Sequence, residues 1–386
     1  MIVIGIPSYQ EADTIAYTVE QIDRGLEQTY GAARCLIVNV DNDSDDGTRD
    51  VFYSTKTACK KHYISTGSLP RGKGKNLLRL LDFALSVKAQ YIATFDADVA
   101  TITSEWPSKL LDPLINLGID YTLPIYSRNR FEGSVTNHFA YPLIYGLYGR
   151  HIRQPIGGEF GISRKLAEYL LKQEIISSTE QYGIDMFMTS HAVYGGFLTK
   201  EVFLGRKFHK PSFPKIVSIF CQEASSALHV AHQYRHQFPP QSYQEQSSGG
   251  DFREMIGIDR EQKPTDPKAV KKLLETAKEY FQKLYPPPPF LPRELIQQLE
   301  VVIATSDTDV SAELWSQFLA YCVNEAIQED VSAEKLQQLV ALLTPVFLWR
   351  AATLWRHAVT MEPEDVEYEI RTQAEYFSRQ ITLIRG

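Results

Sequence analysis

The apolar positions of this chain change period along its length. In the first hundred residues, short unbroken apolar runs alternate with segments whose apolar residues recur at helical spacing. "MIVIGIP" reads as a buried strand ending at Pro7, after which Ile15, Val19 and Ile22 fall on one helical face. "ARCLIVNV" predicts a second strand, followed by the acidic turn "DNDSDDGT". "HYIST" predicts a short third strand. A helix with Leu77, Leu81, Ala84 and Leu85 on one face follows "PRGKGK", and "QYIATF" predicts a fourth strand. This rhythm predicts an α/β fold with a mostly parallel sheet covered on both faces. Ligands of such sheets bind beyond the carboxyl ends of the strands. Glu11, the acids of 41–46, and Asp96 with Asp98 all follow strand ends, so they are expected to cluster.

The pattern then loosens. Residues from about 100 to 236 mix loops, aromatics and short elements, and "QFPPQSYQEQSSGGDFREMIG" shows no periodicity. From 267 the period becomes helical, with Val270, Leu273, Leu274, Ala277, Phe281 and Leu284 on one stripe. Two later helices are expected to begin at "DVSAE" (309–313 and 330–334), where Asp or Ser accepts first-turn amides. The expected organisation is a domain over 1–236, a linker over 237–266 and a helical domain over 267–386. Trp315, Trp349 and Trp355 are expected in a core or an interface, and the helical part offers a surface for a homodimer.

The formal charge of -7 over 386 residues argues against a nucleic-acid partner, which calls for a basic stripe. An anionic substrate remains compatible, because local Lys and Arg can still form a phosphate pocket. Cys35, Cys59, Cys221 and Cys322 are far apart in sequence and fit neither a zinc knuckle nor a disulfide framework, which points to a reducing cytoplasm. The first residues lack a basic flank and read as a strand rather than a signal peptide. "LVALLTPVFLW" is short for a membrane span and contains a proline, so no span is expected.

Four segments carry candidate chemistry. Asp96 and Asp98 in "FDADVA" point to the same side, because side chains alternate along a strand. They either cap the following loop or face Mg²⁺ or Mn²⁺, which take oxygen ligands and bridge to a diphosphate. In "GSLPRGKGKNLL", Gly72 and Gly74 let the backbone bend, Lys73 and Lys75 supply charge, and the next helix adds amide donors. The spacing is not that of a Walker A loop, and a solvated basic turn is the alternative. "PSYQEADTI" places Pro7 and Tyr9 at a strand end and Glu11 in a first helical turn, where it also suits the helix dipole. "VDNDSDDGT" is either a solvated turn or a grip on a ribose or base edge.

Together the four segments resemble the GT-A nucleotide-sugar glycosyltransferases, with "PSYQE", the acidic second-strand turn and "DAD" in the expected order. Asn42 stands where that pattern usually has Asp. "RQPIGGEFGISRKL", "YGIDMFM" and "GRKFHKP" are similar to the retaining synthases of mannosylglycerate and glucosyl-3-phosphoglycerate. The resemblance implies a GT-A, Rossmann-like nucleotide-sugar-binding sheet with a C-terminal helical domain. It implies a donor site of Pro7, Tyr9, Glu11, Asn42, Gly72, Lys73, Asp96, Gly158 and Glu159. It further implies a Mg²⁺ or Mn²⁺ site of Asp98, His209 and Asp96, with Asp98, Asp185 and Lys73 serving the reaction. In "FEGSVTNHFAYPL", Ser134 stands where the glucosyl-phosphoglycerate pattern has an arginine facing the acceptor phosphate. Arg130, Ser134, Thr136, Asn137 and Asp185 are the expected acceptor contacts, Arg130 by bidentate grip on a carboxylate.

The implied reaction is retaining transfer of a hexose from a nucleoside diphosphate sugar (GDP-mannose, UDP-glucose or GDP-glucose) to a small hydroxy acid such as glycerate. Three rivals stand beside it. A sugar nucleotidyltransferase on a related sheet would need a glycine-rich loop with Lys or Arg directly after the first strand, which "GIPSYQEA" lacks. An inverting family 2-type transferase acting on a polysaccharide or lipid would commonly carry a Gln-x-x-Arg-Trp motif, which is absent. A non-catalytic nucleotide-sugar-binding protein would bind donor without turnover.

Overall fold

The computed structural model describes residues 1–67, 70–208, 210, 215–237, 267–282, 288–305 and 309–385. The first half contains β1 (Ile2–Ser8), α1 (Ile15–Tyr30), β2 (Cys35–Asp41), α2 (Thr48–Ser54), β3 (Lys60–Ser65), α3 (Lys73–Ser86) and β4 (Tyr91–Thr94). It continues with α4 (Trp106–Leu117), β5 (Tyr121–Ser127), α5 (Tyr141–Tyr148), β6 (Phe160–Ser163), α6 (Arg164–Leu170), α7 (Ile184–Tyr194) and β7 (Thr199–Arg206). The remainder is helical: α8 (Ile216–Gln233), α9 (Pro267–Gln282), α10 (Arg293–Ala304), α11 (Ala312–Ala326), α12 (Ala333–Ala358) and α13 (Pro363–Arg385). Leu284 of the expected α9 stripe and most of the expected linker lie outside the described residues.

Two compact units divide the chain, and they do not follow chain order. The first takes the described residues of 1–127 and 156–214; the second takes 128–155, 215–237 and the helices from 267 onward. In the first unit, seven strands form one sheet in the order β3-β2-β1-β4-β6-β5-β7. Every pairing is parallel except those of β6, which runs antiparallel to both β4 and β5. All seven residues of β1 are buried, as a central parallel strand covered on both faces requires. Ile2, Ile4 and Ile6 share a core with Ile15, Val19 and Ile22 of α1 and Trp106, Leu110 and Leu111 of α4. The opposite face of β1, at Gly5, meets Leu80 of α3. The parallel register aligns Ser8 with Asp41 and Asp41 with Ser65, which brings the polar strand ends to one rim.

In the second unit, Ser311 and Ser332 cap α11 and α12, accepting from the Leu314 and Lys335 amides at 3.1 Å each, as the two "DVSAE" segments predict. Trp315, Trp349 and Trp355 are buried, so their expected place in a core is what the structure shows. The α12 helix extends the apolar run "LVALLTPVFLW" to 26 residues, straight through Pro345. By length and composition alone α12 is long and apolar enough to cross a membrane, but 89% of its apolar stretch is buried in the structure, as in a core helix.

Arg153 and Glu367 form a buried ion pair at 2.8 Å in this unit, and Arg371 adds a further bond to Glu367 at 2.9 Å. Burial alone would raise the Glu367 carboxyl, but Arg153 and Arg371 outweigh it and hold it below its ordinary value of 4.5. A depressed carboxyl contributes stability above its unfolded value and loses that contribution as pH falls. Glu367→Gln is expected to lower stability by about 3 kcal/mol at neutral pH, because it strands a buried guanidinium. The melting-temperature gap between wild type and variant should close as pH falls below 4.5, and a pH-independent gap would contradict the pair's role.

Candidate active site

The carboxyl rim of the first unit's sheet gathers residues from six segments. Asp96 follows β4, and its two oxygens are held by different lysines. Lys73, the first residue of α3, lies 3.0 Å from Oδ1, and Lys207, just after β7, lies 2.8 Å from Oδ2. Lys73 also faces Asp185 of α7 at 3.6 Å. The Lys207 ammonium sits in an oxygen cage made by Asp96, the Gly157 carbonyl at 3.0 Å, and Glu159 Oε1 and Oε2 at 2.9 and 2.7 Å. Glu159 also accepts from the Tyr126 hydroxyl and from the Asp96 amide. The cluster thus alternates three carboxylates with two ammoniums. Within it Asp96 is the most open side chain at 22% exposed, whereas Glu159 is fully enclosed.

Burial disfavours charge on every member, and pairing decides each outcome. For Asp96 burial is outweighed by Lys207 and Lys73, so its carboxyl lies well below the ordinary range. Burial prevails at Glu159 and Asp185, whose carboxyls are raised although Lys207 and Lys73, respectively, pull them down. Both lysines are raised, because their carboxylate neighbours outweigh the burial that would lower them. As pH falls, Glu159 and Asp185 therefore lose charge before Asp96 does.

Gly158 forms the lip over this cluster. Its φ of +98° is strained for any side chain, and a Cβ there would lie 2.6 Å from Asp96 Oδ2, 2.8 Å from Lys207 Nζ and 3.3 Å from Lys73 Nζ. The missing side chain lets Asp96 and both ammoniums pack directly against the buried Gly158 backbone.

The glycine-rich segment departs from its expected role. A Cβ at Gly74 would lie 1.8 Å from the Thr179 carbonyl, and the Gly74 and Lys75 amides donate to the Gln181 and Glu180 carbonyls at 2.9 and 2.8 Å. The Gly72 amide donates to Asn42 Oδ1 at 3.2 Å. These glycines permit close packing against 179–181, and their amides are taken up inside the protein rather than offered to a phosphate. Asn42 braces this segment and also accepts from Thr66. The acidic turn is likewise engaged internally: Asp41 accepts from Ser8, Ser44 and Tyr63, and Asp46 accepts from the Ala12 amide and from Thr48.

Pro7 is buried within β1, and the Tyr9 ring carries the Arg71 guanidinium 4.3 Å from its centroid. Glu11 accepts from Thr14 and from the Lys210 ammonium, at 2.9 and 2.8 Å. Its carboxyl is raised by burial, with Asp98 adding to the rise and Lys210 opposing it, which places Asp98 nearby. Asp98 accepts the Lys210 amide at 3.1 Å. His209 lies outside the described residues, but both of its neighbours are tied to this rim: Phe208 bonds Ala100 and Thr101, and Lys210 bonds Asp98. Among the described residues no three His, Cys, Asp or Glu side chains are grouped to hold a metal.

Arg130, Ser134, Thr136 and Asn137 belong to the second unit. There Arg130 donates to the Met361 carbonyl, and Asn137 bonds Arg153 and the Glu132 carbonyl. Ser134 and Thr136 are buried.

Lys207 and Tyr126 were not among the residues picked out by sequence pattern. Lys207 sits two positions before His209 in "GRKFHKP", so the segment was legible but the direction of its lysine was not.

Much of this rim comes from a segment that matches a known class: residues 3–171, from β1 through α6, match the family model "Glycosyl transferase family 2". Within that class the chain is 25% identical to the mannosylglycerate synthase of Selaginella moellendorffii over 142 residues, 36% of this chain and 33% of that protein. The chain's match thus spans about a third of that curated relative. Similar solved structures include glucosyl-3-phosphoglycerate synthase from Mycobacterium tuberculosis in complex with Mg²⁺ and UDP. It is 22% identical with a TM-score of 0.49, over 60% of this chain and 79% of that one. The same enzyme with Mn²⁺, UDP-glucose and phosphoglyceric acid gives 20% identity and a TM-score of 0.49 over the same shares, 60% and 79%.

Proposed function

We propose that this chain is a metal-dependent retaining glycosyltransferase that moves a hexose from a nucleoside diphosphate sugar to a small hydroxy acid of the glycerate type. The reading is supported by the family 2 domain and by the similarity to a mannosylglycerate synthase. One observation carries the metal dependence. The carboxylates of Glu11, Asp96, Asp98, Glu159 and Asp185 outnumber the ammoniums of Lys73, Lys207 and Lys210 that face them. An anionic diphosphate is repelled by such a rim unless a cation joins it there.

The donor set fits a divalent ion. Asp98 would supply a hard oxygen at the rim, and His209, next to Lys210 in the sequence, would add an imidazole. Asp96, with both oxygens on lysines, shapes the field instead of donating directly. Asp98 and His209 would hold a Mg²⁺ or Mn²⁺ ion, which would supply counter-charge for the departing diphosphate. Lys73 adds a fixed ammonium on the same side. Gly158 lets Asp96 and both lysines pack close to its backbone, and Asp185 orients acceptor hydroxyls. The departing phosphate oxygen accepts the acceptor's proton, which lets attack occur on the face the leaving group vacates and explains retention.

The test is an activity matrix of GDP-mannose, UDP-glucose and GDP-glucose against glycerate, 3-phosphoglycerate and glycolate, with an oligosaccharide arm for the polysaccharide alternative. Asp98→Ala is expected to reduce metal-dependent turnover at least about 100-fold. Undiminished turnover in that variant would refute the metal assignment, and donor binding without any turnover would favour a sensor.

A further inference from the structure

Outside this rim, two of the four free cysteines meet at the opposite end of the strands. Cys35 opens β2, and Cys59 immediately precedes β3. The parallel register pairs Leu36 with Lys60, so the two cysteines stand side by side one step earlier. Aligned residues on neighbouring parallel strands point to the same face, and both cysteines pack into the core cluster beneath α1. Each cysteine is the largest influence on the other's thiol, which places the two side chains close together.

We infer that Cys35 and Cys59 form a dithiol modification site that a low-molecular-weight disulfide converts reversibly into a Cys35–Cys59 bridge. Strands lie about 4.8 Å apart, within the roughly 4.4–6.8 Å between α-carbons that a disulfide accepts. The pair lies just under the surface: Cys35 and Cys59 are 4% and 3% exposed, and Arg34, Ala58 and Lys60 beside them are exposed. Cys59 is the main influence lowering the Cys35 thiol, burial and the Asp23 carboxylate oppose it, and the adjacent Arg34 assists. Cys35 attacks one sulfur of the reagent, whose other sulfur leaves as a thiol after taking up a proton. Cys59 then displaces the second reagent thiol from the mixed disulfide. Two S–H bonds and one reagent S–S bond are exchanged for one protein S–S bond and two reagent S–H bonds. Because β3 is an edge strand bonded only to β2, the bridge fastens the sheet's edge. This inference is independent of the sugar-transfer reading.

The test uses the native full chain incubated with oxidised glutathione. Intact mass should fall by two hydrogen atoms, and peptide mapping should join the Cys35 and Cys59 peptides. Two of the four thiols should escape alkylation, and the melting temperature should rise by roughly 5 °C, reversed by dithiothreitol. Four thiols that stay alkylatable after denaturation, a persistent glutathione adduct, or a bridge through Cys221 or Cys322 would each overturn the inference. Cys221→Ala, which leaves the pair intact, should oxidise as wild type does.

Discussion

Asp96→Ala is expected to lower donor turnover at least about 100-fold while shifting the melting temperature by only a few degrees. The separation of the two effects follows from charge. In the intact cluster, Asp96 accepts from both Lys73 and Lys207, and each lysine has a second carboxylate behind it, Asp185 or Glu159. Removing Asp96 leaves two ammoniums and two carboxylates, so no buried charge is stranded. What is lost is the most open anion of the cluster, the one under Gly158 that fixes both ammoniums at the spot where the donor is proposed to lie. Calorimetry and a donor-consumption assay on the same preparation check the result. A variant within tenfold of wild-type turnover would show that the strand-end cluster is not where the chemistry occurs.

Lys207→Met is expected to act in the opposite sense, on stability first. Glu159 is fully enclosed, and Lys207 is the cation it faces; without that ammonium, Glu159 and Asp96 confront each other with only Lys73 nearby. Breaking a buried pair by removing one partner costs about 3–5 kcal/mol, or roughly 10 °C in melting temperature for a unit of this size. Lys207→Met combined with Glu159→Gln removes one charge of each sign and should recover more than half of that loss. Additive losses in the double variant would mean that the two residues do not act as a pair.

The "RGKGK" glycines suggest a phosphate cradle, yet the Gly72 amide bonds Asn42, and the Gly74 and Lys75 amides bond Gln181 and Glu180, more than a hundred residues further along. What this segment presents to the rim is the Lys73 side chain. Sequence pattern alone does not separate these roles, because a glycine needed for close backbone packing and one needed for a ligand look the same.

The sequence by itself determined the local features. The unbroken apolar runs specify buried parallel strands, the 3.6-residue stripes specify covering helices, and Ser311 and Ser332 announce helix starts. The polar residues after each strand follow from the topology, since parallel strands deliver their carboxyl ends to one rim. Tertiary structure alone decided which charges meet there. Lys207 reaches Asp96 across 111 residues, Tyr126 reaches Glu159 across 33, and Cys35 meets Cys59 through strand register. It also assigned 128–155 to the helical unit. The physical reason is that local hydrophobic period reports burial of a face, whereas long-range ion pairs depend on the direction and distance of single side chains brought together by the fold.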